Sequence, residues 1–404
     1  MSEDSQPRTT KRRSLRRASS HSWAEIDLAA VRHNVRAVKG LLGGKCHLWA
    51  VVKAGAYGHG AVPTARAALD AGADGLAVSS LGEASQLRRA GIGAPILHLG
   101  PGEPRSARRI LRLDVVQSVC TEPVVRALSR AAQRLSALAK VHLKIDTGMG
   151  RLGVSPEGAA TFARLIAELP QMRLTGAFSH LATADADDPE YALAQFERFQ
   201  EALRAIDDAG LGVSMRHLAN SAGALRFPDM RLEAVRAGLL IYGIRPDSPG
   251  LAPLDLRPAL TWKTRVAFVH RLPAGSPISY GRTYITPHEC DIGVLPVGYA
   301  DGYPRSASNR ARVLVRGRPC SVVGVICMDH TMVDLGPAGG ARIGDEVVLV
   351  GRQGNSCVTA NQLAQWAGTV VHEVPTAIGR RVKRVYRGAK RALDPSLGPE
   401  GEGR

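Results

Sequence analysis

Short apolar segments alternate with amphipathic helical segments between about residue 45 and residue 240, and this alternation constrains the fold more than any other feature. A strand that is followed each time by one helix returns by a right-handed crossover, which builds a parallel sheet. Eight such units within roughly 200 residues suit a closed (β/α)8 barrel better than an open sheet. The strands predicted here are His47–Val52, Gly75–Ser79, Pro95–Leu99, Val115–Val119, Val141–Ile145, Leu174–Ser179 and Met215–Leu218.

The pattern changes after about residue 255, where helical periodicity almost disappears and Val-rich segments are broken by Gly and Pro. This texture is typical of a mostly antiparallel β domain. We therefore predict an N-terminal (β/α)8 TIM barrel over residues 23–255, followed by a C-terminal β domain over residues 256–390. The strand Trp23–Leu28 precedes the barrel pattern and is a candidate to join the β domain. The later strands are predicted at Thr261–Arg271, Asp291–Pro296, Ala311–Val315, Pro319–Val325, Thr331–Leu335 and Glu346–Gly351.

Both ends of the chain differ from this pattern. Residues 1–22 are basic and Ser-rich, and no apolar segment of an export signal follows them, so we predict a disordered arm. Residues 391–404 are rich in Gly, Pro and charge and are predicted to form a flexible tail. No segment approaches the ~18 consecutive apolar residues of a membrane helix. The six cysteines form no CxxC pair. We therefore expect a cytoplasmic protein with neither a disulfide framework nor a metal site.

The net charge of +17 raises the question of whether a nucleic acid is the partner. Most of the positive charge is arginine spread along the whole chain, and no RNA-binding motif or zinc-finger spacing accompanies it. We interpret the charge as a bias in composition and do not expect a nucleic-acid partner. Binding of an anionic partner by the N-terminal arm is the alternative.

Functional side chains of a (β/α)8 barrel follow the carboxyl ends of its strands, and Lys53 has this position. It ends an apolar run and precedes the Gly-rich segment Ala54–Gly60, which matches neither GxGxxG nor a P-loop. Partial burial would lower the pKa of the amine and free it for covalent bonding to a carbonyl group. The alternative is a lysine whose stem packs at the strand end while its amine stays in water.

Other segments with candidate chemistry also follow strands. Lys144–Gly153 has three glycines within six residues, and its Arg151 is placed to bind a carboxylate or phenolate, unless the segment is a plain turn. His180 follows another strand and is either functional or a structural histidine. Two segments with small residues ahead of helices, His217–Ser221 and Arg236–Gly243, would expose N–H groups that suit a phosphate.

Five segments together resemble the motifs of alanine racemases, in the same order along the chain. They are Val51–Gly60, Asp146–Gly153, Tyr280–Gly281, Gly298–Gly302 and Cys327–Asp329. The resemblance runs from about Ala24 to Arg384. It implies racemisation of L- and D-alanine with pyridoxal 5'-phosphate as the cofactor, in a homodimer whose subunits share each active site. Without the resemblance, the three segments of the β domain could equally be turns.

The resemblance implies two bases. Lys53 would hold the cofactor covalently and then serve as one base, and Tyr280 of the partner subunit would be the other. Racemisation removes a proton from one face of Cα and delivers one to the opposite face, which two opposed bases achieve. A phenol with a pKa of about 10 is a poor base at neutral pH and needs a helpful neighbour. The resemblance offers His180 and Arg236 for that role.

Arg236 matches the arginine that faces the pyridine nitrogen in this family. An arginine cannot accept the ring proton, so the ring would stay neutral and reprotonation at Cα would be favoured. Further roles follow from the resemblance alone. The phosphate would be bound by Tyr57, Asn220, Ser221, Gly238, Leu239 and Tyr242. Arg151 would hold the phenolic oxygen and the substrate carboxylate region, Met328 and Tyr299 would complete the substrate pocket from the partner, and Lys144 matches a lysine that is carbamylated in some members.

Two positions depart from the family pattern. Gly55 stands where Asn or Asp is common, and Arg380 stands where a tyrosine near the cofactor phosphate is usual. Arginine could still bind phosphate, but the pocket would lose an aromatic wall, so we predict that serine or larger amino acids are accepted beside alanine. The alternative functions are a barrel decarboxylase that uses the same cofactor, which would want an acid near the pyridine nitrogen, and a non-catalytic cofactor-binding protein. Whether the D-alanine would serve the cell wall or catabolism stays open.

Overall fold

The computed structural model describes residues 21–337 and 340–388. The predicted tail and all of the predicted basic arm except His21 and Ser22 lie outside the described residues. The strands before residue 255 are β1 Trp23–Asp27, β2 His47–Val51, β3 Gly75–Val78, β4 Ile96–His98, β5 Val116–Val119, β6 Ala139–Lys144, β7 Met172–Phe178, β8 Met215–His217 and β9 Ala234–Ala237. The helices there are α1 Leu28–Leu42, α2 Ala61–Asp70, α3 Leu81–Arg89, α4 Ala107–Arg112, α5 Glu122–Leu135, α6 Ala159–Glu168, α7 Glu190–Asp208 and α8 Ser221–Arg226.

Strands β2 to β9 form one parallel sheet of eight strands in the order β8-β7-β6-β5-β4-β3-β2-β9, with helices outside it. The sheet nearly closes between β8 and β9, where the N–H of Glu233 donates to the carbonyl of Arg216 at 3.2 Å. The predicted (β/α)8 barrel is therefore confirmed. Strand β9 was not recognised from the sequence, because four residues that include a buried arginine do not stand out as an apolar run.

The C-terminal part is mostly antiparallel, as predicted. Its strands are β10 Leu260–Arg265, β11 Phe268–Leu272, β12 Pro277–Ile278, β13 Tyr284–Ile285, β14 Cys290–Leu295, β15 Arg312–Val315, β16 Arg318–Ser321, β17 Thr331–Gly336, β18 Glu346–Gln353, β19 Ser356–Val358 and β20 Lys383–Arg387. Two helices, α9 Ala360–Ala367 and α10 Glu373–Ala377, accompany them. The main sheet has the order β16-β15-β18-β10-β1-β20 with β19 paired to β18, and a second sheet has the order β11-β14-β17.

The segment expected to be one strand, Thr261–Arg271, is two strands in different sheets. The chain changes sheets at Val266, whose N–H donates to Asp345, while the N–H of Ala267 donates to Val294. Strand β1 lies in the main sheet of the C-terminal part, antiparallel to β10 and parallel to β20. The first strand among the described residues therefore pairs with the last one, which ties the start of the barrel to the β domain.

No helix among residues 21–337 and 340–388 combines the length and the apolar character needed to cross a membrane. All six cysteines are free thiols. The first helix, α1, begins where the Asp27 carboxylate accepts the N–H groups of Ala29 and Ala30 at 2.8 and 3.1 Å. This cap satisfies donors that a helix leaves free at its start, so the turn from β1 into the barrel is set locally.

Candidate active site

A cavity of about 450 Å³ lies at the carboxyl ends of the barrel strands. This end is where (β/α)8 barrels carry their catalytic groups. Ten residues singled out from the sequence line it together, namely Lys53, Tyr57, Lys144, Arg151, His180, Asn220, Ser221, Arg236, Gly238 and Leu239. They come from segments far apart in the chain, and barrel closure brings them to one place.

Lys53 follows β2 and opens a short turn of left-handed backbone, with φ of 52° at Ala54, 62° at Gly55 and 57° at Ala56. Alanine is strained in this region whereas glycine is not, so the turn requires support from its surroundings. The Glu83 carboxylate provides it by accepting the N–H of Ala54 at 2.6 Å. Burial lowers the pKa of the half-buried Lys53 amine, and the positive charges of Arg151 and Arg236 lower it further.

Glu83 has a second function at the start of α3. Its other carboxylate oxygen accepts the N–H groups of Ser79 and Ser80 at 2.9 and 3.1 Å, and Ser80 caps the helix in return. The S-x-x-E spacing identifies this capping box in the sequence. The contact with Ala54 spans 29 residues and has no local signal. Glu83 thus joins two neighbouring strand ends and holds the turn that carries Lys53.

The guanidinium of Arg236 is 4% exposed and is surrounded by acceptors without a formal charge. It donates to Nδ1 of His217 at 2.8 Å, to Nδ1 of His180 at 3.2 Å and to the carbonyl oxygens of Ser179 and Leu218 at 2.8 and 2.9 Å. A further bond to the carbonyl of His217 measures 3.1 Å. Burial lowers the pKa of Arg236 to about 9, which still leaves it protonated at neutral pH.

His180 lines the cavity beside Arg236 and is a neutral ring. Burial lowers its pKa well below the usual value, and the nearby charges of Arg236, Lys144, Arg151 and Lys53 act in the same direction. Because the guanidinium can only donate, Nδ1 of His180 must be the acceptor of their hydrogen bond. The remaining ring nitrogen therefore carries the proton.

The loop that carries Arg151 is wrapped around one carboxylate. Asp146 accepts the N–H groups of Gly148, Met149 and Gly150 at 3.0, 2.8 and 3.1 Å, and that of Arg151 at 3.0 Å. Burial raises the pKa of Asp146, but these four N–H groups outweigh it and hold the pKa below its usual value. The resulting rigid loop fixes the backbone from which Arg151 reaches the cavity.

Lys144 ends β6 beneath this loop and is 7% exposed. Its Nζ lies 4.8 Å from the ring centre of Phe178. Burial lowers the pKa of its amine well below the usual value, and the charge of Arg236 adds to the effect.

One corner of the cavity is built from small groups. The hydroxyl of Ser221 accepts the N–H of Gly238 at 3.0 Å, and Asn220 caps α8 through a bond from the N–H of Gly223 at 3.0 Å. Tyr57 closes the corner with its ring packed on Tyr242, 5.0 Å between centres. The hydroxyl of Tyr242 is directed elsewhere, to the carbonyl of Val51 at 2.7 Å, and Tyr242 does not line the cavity.

Besides Tyr242, four predicted site residues do not line the cavity of a single chain. Tyr280, Met328 and Tyr299 lie in the β domain with 72%, 53% and 42% of their surface exposed. Large apolar side chains with this exposure are candidates for burial against another chain. Arg380 is exposed beyond α10 and is likewise absent from the cavity lining.

Several lining residues were not predicted, among them Asp185, His372 and Phe178. His372 precedes α10, and its ring centre lies 6.0 Å from that of Tyr57. It brings the β domain to the cavity although its sequence context has no motif. Phe178 ends β7 and lies under Arg236, with 5.3 Å between the guanidinium carbon and the ring centre. Its place at a strand end was the one signal that could have identified it.

The architecture and the cavity have known counterparts. Residues 26–246 match the family described as alanine racemase, N-terminal domain, and residues 259–386 match its C-terminal domain. The chain is 49% identical to the alanine racemase of Symbiobacterium thermophilum over 91% of this chain and 97% of that protein. It is 44% identical to the alanine racemase of Desulfovibrio desulfuricans over 90% of this chain and 97% of that protein.

Solved structures of alanine racemases are also similar to this chain. The crystal structure of alanine racemase from D-cycloserine-producing Streptomyces lavendulae has a TM-score of 0.86 at 39% identity and covers 93% of this chain and 100% of that one. The alanine racemase from Bacillus anthracis with bound L-Ala-P has a TM-score of 0.85 at 37% identity and covers 92% of this chain and 96% of that one. With both domains matched in order and nine-tenths of the sequence aligned, the chain belongs to the alanine racemase family.

Proposed function

We propose that this chain racemises alanine with pyridoxal 5'-phosphate, using Lys53 and Tyr280 of the partner subunit as opposed bases. The observation that carries the proposal is the pairing of Lys53 with Arg236 in one cavity. The first is an amine whose lowered pKa suits bonding to an aldehyde. The second is a buried cation whose hydrogen-bond acceptors among the described residues are all uncharged.

The cavity fits this cofactor at three points. Lys53 offers the amine for the aldehyde, and Arg236 offers a donor for the ring nitrogen. Tyr57, Ser221 and the backbone at Gly238 offer small polar groups for the phosphate. Residue 238 has to be glycine, because a Cβ at this position would lie 2.7 Å from the hydroxyl of Tyr57. Arg151 adds positive potential that favours a phosphorylated cofactor and a carboxylate substrate.

When bound, pyridoxal phosphate withdraws electrons from Cα of an amino acid and makes its hydrogen acidic. Arg236 limits the strength of this withdrawal, because a protonated guanidinium donates to the ring nitrogen but cannot accept its proton. Weaker electron withdrawal by the cofactor favours prompt return of a proton to Cα over decarboxylation or transamination. The uncharged surroundings of Arg236 support the racemase over a barrel decarboxylase, which would want a carboxylate at this place.

Two groups then handle protons at Cα. Once free of the cofactor, the Lys53 amine would lie close to the substrate, and its lowered pKa favours the neutral form that can take a proton. Tyr280 of the partner subunit would serve the opposite face. The exposure of Tyr280, Met328 and Tyr299 supports a homodimer in which these side chains become buried against the cavity of the other subunit. Arg151 would bind the substrate carboxylate and so fix which faces of Cα the bases meet.

Replacement of Lys53 by Ala tests the proposal. The variant should lose the near-visible absorption band of the lysine-bound cofactor, which borohydride abolishes in the native protein, and should lose alanine racemisation. Lys140→Ala is the matched control, because Lys140 lies exposed on β6 outside this cavity. Substantial racemisation by Lys53→Ala without added amines would overturn the assignment. A native protein that binds the cofactor but racemises no amino acid would favour the non-catalytic alternative.

A further inference from the structure

A second cavity, of about 440 Å³, lies at the opposite end of the barrel, where the strands begin. The residues that line it include His47, Trp49, His142 and Met215. The amino ends of barrel strands ordinarily serve stability, and the barrel interior is ordinarily filled by branched apolar side chains. Here two histidines occupy the interior between the two cavities.

The two histidines form a hydrogen-bonded chain from the second cavity, called the lower cavity below, to Arg236. Nδ1 of His217 lies 2.8 Å from the guanidinium of Arg236, and Nε2 of His217 lies 2.9 Å from Nδ1 of His142. His217 and His142 are 0% and 2% exposed, and His142 also lines the lower cavity. The ring of His217 is stacked on Phe178 at 4.7 Å with 6° between the planes, which holds its orientation.

Each hydrogen bond of this chain has its donor on the side of Arg236. A guanidinium has no acceptor, so Nδ1 of His217 must accept from Arg236. Burial lowers the pKa of His142 to about 3 and that of His217 well below its usual value, so both rings are neutral at neutral pH. His217 therefore carries its proton on Nε2 and donates it to Nδ1 of His142. His142 in turn carries its own proton on Nε2.

We propose that His142 is a positioning residue for racemisation, acting through His217 to hold Arg236 with an uncharged acceptor. Without the acceptor at His142, the Nε2 proton of His217 would be buried and unpaired. Such a group is costly, and the His217 ring can relieve the cost only by turning toward another acceptor or by moving the proton to Nδ1, and either change withdraws the acceptor from Arg236. In the second case two donors would face each other between His217 and Arg236, and in both cases the guanidinium would lose this hydrogen bond. The expected effect of His142 on racemisation rests on the proposed function of Arg236, whereas the position of the proton on His217 does not depend on that function.

The site is fitted to an imidazole ring. A Cβ at Gly176 would lie 2.6 Å from the carbonyl oxygen of Met215 and 2.8 Å from Nε2 of His142, so only glycine leaves room there for both the neighbouring backbone and the ring. Trp49 bounds the ring on another side in a T-shaped arrangement, with 6.3 Å between centres and 82° between planes. Because His142 borders the lower cavity, removal of its ring would leave a space that small molecules can enter from that side.

Nitrogen-15 NMR of the imidazoles in cofactor-free protein tests the tautomer directly. Native protein should show His217 protonated on Nε2 and bare on Nδ1. His142→Gln keeps an acceptor for that proton and should preserve the pattern, whereas His142→Leu should shift it. In the loaded enzyme, kcat of His142→Leu should fall about fivefold to tenfold with KM within about twofold, and His142→Gln should recover most of the loss. A native His217 signal together with native kcat in folded His142→Leu would overturn the proposal.

Rescue with small molecules separates positioning from simple loss of packing. His142→Ala should regain kcat and the native His217 signal with added imidazole, which can accept the proton. Pyrrole has nearly the same shape but no ring acceptor and should not rescue. His47→Ala, on the rim of the same cavity, should behave as native protein with either compound. Equal rescue by pyrrole would show that His142 fills space only. If Lys53→Ala stays active while the NMR pattern holds, the proposed function fails and the tautomer assignment stands.

Discussion

The hydroxyl of Tyr57 occupies the place next to Gly238 where a side chain would begin, since a Cβ on residue 238 would lie 2.7 Å from it. Tyr57 cannot withdraw easily, because its ring is 8% exposed and packed on Tyr242. The N–H of Gly238 is bound to Ser221 at the same corner. The close approach therefore joins three proposed phosphate ligands in one arrangement that depends on glycine.

Gly238→Ala should consequently weaken cofactor binding. Overpacking of a tight contact costs about 1–3 kcal/mol, so the dissociation constant of pyridoxal phosphate should rise roughly 5- to 150-fold. Fluorescence titration of cofactor-free protein measures it. Gly40→Ala is the control, because a Cβ there meets nothing within 4 Å, and it should bind the cofactor as native protein does. Unchanged affinity in Gly238→Ala would remove this corner from the phosphate site.

Tyr280→Phe should keep the cofactor bound while kcat falls about 100- to 10,000-fold. The reason is that the phenol of Tyr280 would transfer a proton at Cα and would not bind the cofactor. The loss should fall chiefly on proton abstraction from L-alanine, on the face opposite Lys53. Isotope exchange at Cα of each enantiomer measures this asymmetry. Parallel loss of cofactor and activity would instead make Tyr280 structural.

Mixed dimers test whether the two bases come from different chains. A mixture of Lys53→Ala and Tyr280→Phe proteins should racemise alanine faster after subunit exchange than either protein alone, because one site of the hybrid dimer then has both bases. Exchange is monitored by differently tagged chains. Failure to recover activity after complete exchange would place both bases in one subunit.

Lys144 should react with carbon dioxide to form a carbamate. Only the neutral amine reacts, and the lowered pKa of Lys144 increases the share of that form. The negative carbamate would also be favoured by the charges of Arg236 and Arg151. Carbon-13 NMR with labelled bicarbonate should show a carbamate signal that Lys144→Ala removes and Lys140→Ala, on the same strand but exposed, retains. A signal that persists in Lys144→Ala would assign the carbamate elsewhere.

Arg380→Tyr should narrow substrate choice. We expect native protein to racemise serine or larger amino acids at a measurable fraction of its alanine rate. The variant should reduce kcat/KM for those substrates by about 1–3 kcal/mol relative to alanine, the usual scale for a change in pocket shape. Arg352→Tyr, at an exposed site on β18, is the control. Strict alanine specificity in native protein, unchanged in Arg380→Tyr, would refute the wide pocket without affecting the racemase proposal.

Local periodicity was enough to recognise the barrel, because strands and helices repeat their apolar residues with periods set by the backbone. It also located Lys53 and Arg151, since side chains after parallel strands meet at one end of a barrel. The same reasoning missed β9, whose four residues carry a buried arginine. It also joined β10 and β11, because a continuous apolar run does not reveal where a chain changes sheets.

Contacts between distant segments required the folded chain. Three contacts join segments that lie on or directly follow different strands. They are the hydrogen bond from Ala54 to Glu83, the close approach of Tyr57 to Gly238, and the hydrogen bond between His217 and His142. Each depends on how neighbouring strands are staggered when the barrel closes, and a register shift of one residue would turn these side chains the other way. Residue types at strand ends indicate which chemistry is present. Barrel closure sets the distances, burial and charge that give each group its proton state.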